Sequence, residues 1–184
     1  MSHAFTSALA LRELYRSGEA SPVEVTDELL DRIERLNPVL HCYLTVTAEL
    51  AREAAQTAEV RYREARRAGG IDELPPLLGI PVSVKDLADV AGVPTTFGSK
   101  VYESYVPEVD SILWERLRDA GSVLLGKTNT SEFGMAAFTT NLLGESCGNP
   151  WDPTRIAGGS SGGAGSAAAA GLGPIAHGTD GGGS

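Results

Sequence analysis

The sequence predicts an α/β layer fold, and three observations carry that expectation. Apolar residues recur at helical spacing in three stretches of positions 1–73. Two nearly continuous apolar runs, Leu77 to Val84 and Ser122 to Leu125, read as short buried strands. From Leu77 onward strand patterns alternate with helical ones. The 184 residues suffice for one domain with a hydrophobic core, and 42% hydrophobic with 21% charged residues is ordinary for such a domain.

The first helix is expected over Ser7 to Ser17, with Leu11, Leu14 and Tyr15 on one side and Gly18 as its stop. Ser21-Pro22-Val23-Glu24 opens a second: Ser21 caps, Pro22 takes the first helical position and Glu24 completes a capping box. Val25, Leu29, Ile33 and Leu36 continue it, and Asn37-Pro38 should end it. Leu40 to Thr47 reads as a strand, with Leu40, Cys42, Leu44 and Val46 on one face and His41, Tyr43 and Thr45 on the other. His41 is then an exposed strand residue rather than a ligand. Ala48 to Ala68 is a long helix with a narrow stripe of Ala51, Ala55, Ala58, Tyr62 and Ala65. Glu59 and Arg63 are spaced to pair, and Arg66 and Arg67 complement the helix dipole before Gly69.

Beyond the stiff Leu74-Pro75-Pro76 connector, Pro81 must sit at the beginning or on an edge of the Leu77–Val84 strand. Asp110 is expected to cap a helix from Ser111 to Asp119 that buries Ile112, Leu113 and Leu117. The final stretch is dense in glycine. Gly158-Gly159-Ser160-Ser161-Gly162-Gly163 and Gly178-Thr179-Asp180-Gly181-Gly182-Gly183-Ser184 flank an alanine-rich connector, giving loop, short helix, strand, loop. A flexible Gly/Ser linker is the bland rival, but a linker gains nothing from an alanine helix.

The net charge of −9 argues against non-specific nucleic-acid binding and against an anionic membrane surface. Cys42 and Cys147 form no CxxC pair, so neither a metal cage nor a disulfide framework is implied; reduced thiols suit a cytoplasmic protein. No apolar run reaches the ~20 residues that span a bilayer. Arg12-Glu13 interrupts the apolar N-terminal part, so a signal peptide is not expected.

Five segments together resemble the amidase signature family of serine hydrolases: Gly79 to Asp86, Gly126 to Phe133, Asn149 to Asp152, Gly158 to Gly163 and Gly178 to Ser184. The resemblance covers most of the chain and implies a mixed β-sheet flanked by helices. It divides the single domain into an N-terminal helical packing region (1–73) and half of a catalytic core (74–184). It implies a Ser–cis-Ser–Lys triad: Ser184 the nucleophile, Ser160 the bridging serine behind a cis Gly159–Ser160 peptide, and Lys85 the base. Gly181, Gly182 and Gly183 would offer oxyanion N–H groups, with Ser161 and Asp180 in support. The implied activity is hydrolysis of a small-molecule amide through an acyl-enzyme, with no metal and no organic cofactor, no membrane partner, and a homodimer left open. Family members continue beyond the nucleophile, so the chain is expected to be a fragment that is inactive alone.

The chemistry is coherent without the name. A serine hydroxyl needs a base, and Lys85 serves only when neutral. A solvated lysine titrates near 10.4; a drop of about 3 units would leave much of it neutral at pH 7. Emergence from an apolar strand supplies the desolvation. Ser160 can donate and accept, so it can relay a proton. One oxyanion donor is worth about 2.7–4 kcal/mol in mutational tests. Each role has a rival: Lys85-Asp86 as an exposed ion pair, Ser160 or Ser161 as a helix cap, Ser184 as an ordinary residue. Two further patterns compete. Gly163 to Ala168 fits a loose dinucleotide-binding GxGxxA, and His177, Asp180 and Ser184 supply the types of a Ser-His-Asp triad. The alternative functions are the amidase subunit of a glutamyl-tRNA amidotransferase, which would bring in tRNA, and a non-catalytic remnant.

Overall fold

The computed structural model describes residues 2–184. Helices α1 (Ala8–Ser17), α2 (Pro22–Leu40) and α3 (Ala48–Ala68) form the N-terminal layer. The start of α1 is capped by the Ser7 hydroxyl, which accepts from the Ala10 N–H, and Gly18 ends it in the left-handed region. The expected capping box of α2 is present: Ser21 accepts from Val23 N–H and the Glu24 carboxylate accepts from Ser21 N–H.

Helix α2 does not stop at Asn37-Pro38. It runs through Pro38 to Leu40. The Asn37 side chain is no breaker; its Oδ1 accepts from Tyr43 N–H at 2.8 Å and its Nδ2 donates to Tyr43 O at 3.1 Å, tying the helix to the next strand. His41 is accordingly the left-handed cap of α2 (φ 48°) and not a strand residue. Strand β1 spans only Tyr43–Val46, and its faces differ from the alternation expected. Tyr43 is buried, its hydroxyl 2.5 Å from Ser83 Oγ, while Val46 is exposed. A cross-sheet hydroxyl pair outweighs the hydrophobicity pattern of four residues. In α3 the stripe Ala51, Ala55, Ala58 and Tyr62 is buried as expected. Glu59 accepts from the Ser21 hydroxyl instead of pairing with Arg63.

The sheet has the order β1, β3 (Val123–Thr128), β2 (Pro81–Lys85), β6 (Ile175–Ala176). Strand β2 is parallel to both neighbours and β1 is antiparallel to β3, so the sheet is mixed. All residues of β2 and β3 are buried, and Pro81 is the first residue of a central strand, where its missing N–H breaks no ladder. Helix α4 (Ile112–Asp119) is capped by Ser111, whose hydroxyl accepts from Trp114 N–H; Asp110 instead accepts from Ala91 N–H. Leu113 and Leu117 pack half-buried against the core as expected, but Trp114 is the buried residue of the helix and Ile112 is exposed. Strands β4 (Gly148–Asn149) and β5 (Asp152–Ile156) form a separate hairpin, and α5 (Gly162–Ala169) joins it to β6.

One apolar core joins the two halves of the chain: Leu11, Leu29, Ile33, Ala55 and Tyr62 pack with Ile80, Val123, Leu125 and Leu172. Full burial of each large aliphatic side chain contributes about 1.5–3 kcal/mol. A second cluster, Val82, Val84, Val90, Val93, Trp114 and Leu124, covers the other side of the sheet. No helix among the described residues is long and apolar enough to cross a membrane.

Candidate active site

Lys85 closes the buried strand β2, and its own side chain is fully buried. Its Nζ donates to three hydroxyls: Ser160 at 2.7 Å, Ser161 at 2.8 Å and Thr179 at 2.8 Å. This uses the whole donor set of an ammonium group. Burial lowers the Lys85 pKa, opposed in part by the carboxylate of Asp180. The rival reading of Lys85-Asp86 as an exposed ion pair does not hold, since Asp86 is itself buried and pairs with Lys127 at 2.9 Å.

Ser160 follows a cis Gly159–Ser160 peptide. Its hydroxyl donates to Ser184 Oγ at 2.7 Å, and the Ser184 hydroxyl donates to Thr179 O at 3.1 Å. Ser161 sits at the N-cap of α5 without capping it by side chain. Its hydroxyl accepts from Lys85 and from Thr179 N–H, and donates to Thr179 O. So Lys85, Ser160, Ser161 and Ser184 converge, and the capping reading of the two serines falls away.

What holds the serine loop is packing of backbone on backbone. A methyl on Gly163 would lie 2.4 Å from Asn129 N and 2.6 Å from Cys42 O, so only glycine lets α5 rest against the end of β3. Thr139 clamps the other side: its hydroxyl donates to Gly158 O at 2.9 Å and accepts from Gly162 N–H at 3.0 Å. Neither Thr139 nor Thr179 stood out in the sequence, because a threonine in a loop carries no chemical signature until its partners are known.

Of the glycines expected to face an oxyanion, Gly183 donates its N–H to Asp180 Oδ1, as does Ser184 at 3.1 Å. Those bonds, Gly183 first, hold the Asp180 pKa below the usual range. Gly181, Gly182, Gly183 and Ser184 line an open cavity of about 510 Å³, with Gly134 to Ala137 and Gly159 opposite.

The competing constellations do not assemble. His177 N–H donates to Ser83 O at 2.8 Å, extending the β2–β6 ladder, and its Nδ1 accepts from Lys85 N–H at 3.4 Å. Among the described residues it has no hydrogen bond to Asp180 or Ser184. Burial, with the Lys85 charge, lowers its pKa. The GxGxxA residues Gly163 to Ala168 lie inside α5, not in a strand-to-helix turn. Among the described residues no cluster of three His, Cys, Asp or Glu could hold a metal.

Comparison with known proteins gives a consistent result. The Amidase family model matches residues 24–184. One component of the glutamyl-tRNA(Gln) amidotransferase of Roseiflexus sp. (strain RS-1) is 47% identical over 173 residues, 94% of this chain and 34% of that protein. The structure of 6-aminohexanoate cyclic dimer hydrolase superposes with a TM-score of 0.84 at 34% identity, covering 95% of this chain and 34% of that one. Native peptide amidase from Stenotrophomonas maltophilia superposes with a TM-score of 0.82 at 31% identity, covering 95% and 36%. The chain spans about a third of the length of these relatives. With a family match over most of its length and the mixed sheet of those structures, the chain belongs to the amidase signature family.

Proposed function

We propose that the protein hydrolyses a carboxamide, with Ser184 as nucleophile, Ser160 as proton relay and Lys85 as base. The supporting observation is an unbroken hydrogen-bond chain from Lys85 Nζ through Ser160 Oγ to Ser184 Oγ, each link 2.7 Å. In the reactive form Lys85 is neutral and accepts from Ser160, which accepts from Ser184. As Ser184 Oγ bonds to the substrate carbonyl carbon, its proton passes to Ser160 and the Ser160 proton passes to Lys85. The C–N bond then breaks, the proton returns through Ser160 to the departing amine, and the acyl group remains as an ester on Ser184. Water, activated by the same relay, releases the acid. Gly181, Gly182 and Gly183 supply N–H donors to the oxyanion. For Gly183 this requires its bond to Asp180 to open.

The test uses the full-length protein. A fluorophosphonate should form one adduct, on Ser184, absent in Ser184→Ala. Amide turnover should rise with pH through the depressed Lys85 pKa, because only the free amine is a base. Lys85→Ala should lower turnover at least about a hundredfold. Labelling elsewhere, or unchanged turnover in Lys85→Ala, would refute the assignment.

A second reading is favoured by the 47% identity to a component of a glutamyl-tRNA(Gln) amidotransferase. The same serine chemistry would then free ammonia for delivery to a charged tRNA, and partner subunits would co-purify with the protein. In either case the buried free thiols of Cys42 and Cys147 support a cytoplasmic location.

A further inference from the structure

Two lysines are fully buried at the ends of β2 and β3, Lys85 and Lys127, and Asp86 is the carboxylate that comes with them. Successive residues of a strand point to opposite sides. Asp86 thus leaves the side on which Lys85 meets its three hydroxyls. Its Oδ1 accepts from Lys127 Nζ at 2.9 Å, and its Oδ2 accepts from Thr96 N–H at 2.9 Å and from the Thr96 hydroxyl. Lys127 Nζ also donates to Thr95 Oγ1 at 2.6 Å. The backbone fixes the same arrangement, with Asp86 N–H on Thr128 O and Phe97 N–H on Asp86 O. The proposed mechanism uses neither Lys127 nor Asp86.

We propose that Lys127 is a positioning residue for the base: it holds the neighbouring carboxylate on the far side of β2 and neutralises it there, so that Lys85 Nζ faces hydroxyls alone. The inference rests on Lys85 being the base. A lysine in a salt bridge stays an ammonium and cannot take a proton. With Lys127 removed, the buried Asp86 carboxylate keeps its Thr96 donors, and Lys85, the adjacent residue, becomes its nearest buried cation. Of the other charged and titratable groups around Lys85, Asp180 opposes the effect of burial through its charge, but it is no hydrogen-bond partner of Nζ. Asp180 is tied to Gly183 and Ser184 N–H, and His177 Nδ1 is on Lys85 N–H. Asp89 acts on the Lys127 side.

The pair also anchors the turn that carries Phe97, to whose carbonyl Phe133 N–H donates. A purely structural role is therefore the rival, and the readout must separate the two. The experiment is the pH profile of fluorophosphonate labelling at Ser184 in the full-length protein. Lys127→Met should move the inflection up by about one unit, which is about tenfold slower labelling below it. Asp86→Asn should move it down, because the Lys127 charge is then uncompensated. Asp86→Asn/Lys127→Met, with both charges gone, should restore the wild-type inflection. If Lys127→Met does not fold, the downward shift in Asp86→Asn decides. Slower labelling at every pH with an unmoved inflection, or a shift that persists in the double variant, would overturn the proposal. Loss of the inflection in Lys85→Met alongside an unmoved one in Lys127→Met overturns the role of Lys127 alone. An inflection that survives in Lys85→Met overturns the base itself.

Discussion

The same substitution at two glycines of α5 should have opposite effects. Gly163 and Gly165 are two residues apart in one helix. A methyl at Gly163 would meet Asn129 N at 2.4 Å, Asn129 O at 2.5 Å and Cys42 O at 2.6 Å, all of them backbone atoms. The closest approach is about 1 Å short of ordinary contact. Gly163→Ala therefore has to push α5 away from β3, and the Gly163 N–H bond to Asn129 O goes with it. Overpacking of this kind costs about 1–3 kcal/mol and the lost bond about 1 more. A methyl at Gly165 meets nothing within 4 Å, and the position is exposed. Gly165→Ala should stabilise by about 0.5–1 kcal/mol, the helix preference of alanine over glycine. Because Ser160 and Ser161 lead directly into α5, a shift of the helix by about 1 Å should slow chemistry at Ser184 about a hundredfold. Denaturant midpoints and fluorophosphonate labelling rates of both variants in the full-length protein give the readout. Equal stability of the two variants, or unimpaired labelling in Gly163→Ala, would refute the packing account of the serine loop.

Other consequences follow from single contacts. Thr139→Val leaves the buried Gly162 N–H unpaired; stability should fall by about 1–3 kcal/mol and labelling at Ser184 by tenfold or more, and a wild-type rate would show that the clamp is dispensable. Burial pushes the thiols of Cys42 and Cys147 up to about 12 and about 11. The unfolded chain therefore releases these protons from about pH 9, before the folded one does. Stability is intact below that and falls as pH rises toward the folded values, by about 1.36 kcal/mol per unit for each thiol. Urea midpoints at pH 8 and pH 10.5 should show the loss. Cys42→Ala or Cys147→Ala should flatten it, and an unchanged slope would rule the thiols out.

Local rules written in neighbouring residues were legible in the sequence. The stop at Gly18, the capping box at Ser21, the alanine stripe of α3, the place of Pro81 and the loop–helix–strand–loop of the glycine-rich stretch each depend on residues a few positions apart. The same holds for the motif order that carries the family resemblance, and so for the expectation that Lys85, Ser160 and Ser184 belong together. Where a side chain had a choice of partner, the sequence did not decide it. Asn37 could end a helix or bind the next strand, and Asp110 or Ser111 could cap α4. Glu59 could take Arg63 or Ser21, and Asp86 could take Lys85 or Lys127. Tertiary structure made those choices because hydrogen bonds and ion pairs reach only a few ångströms. Which donor lies within that reach is set by how α2 meets β1 and α3, by the loop that brings Ala91 to Asp110, and by the pairing of β2 with β3, most of it between residues far apart in the chain.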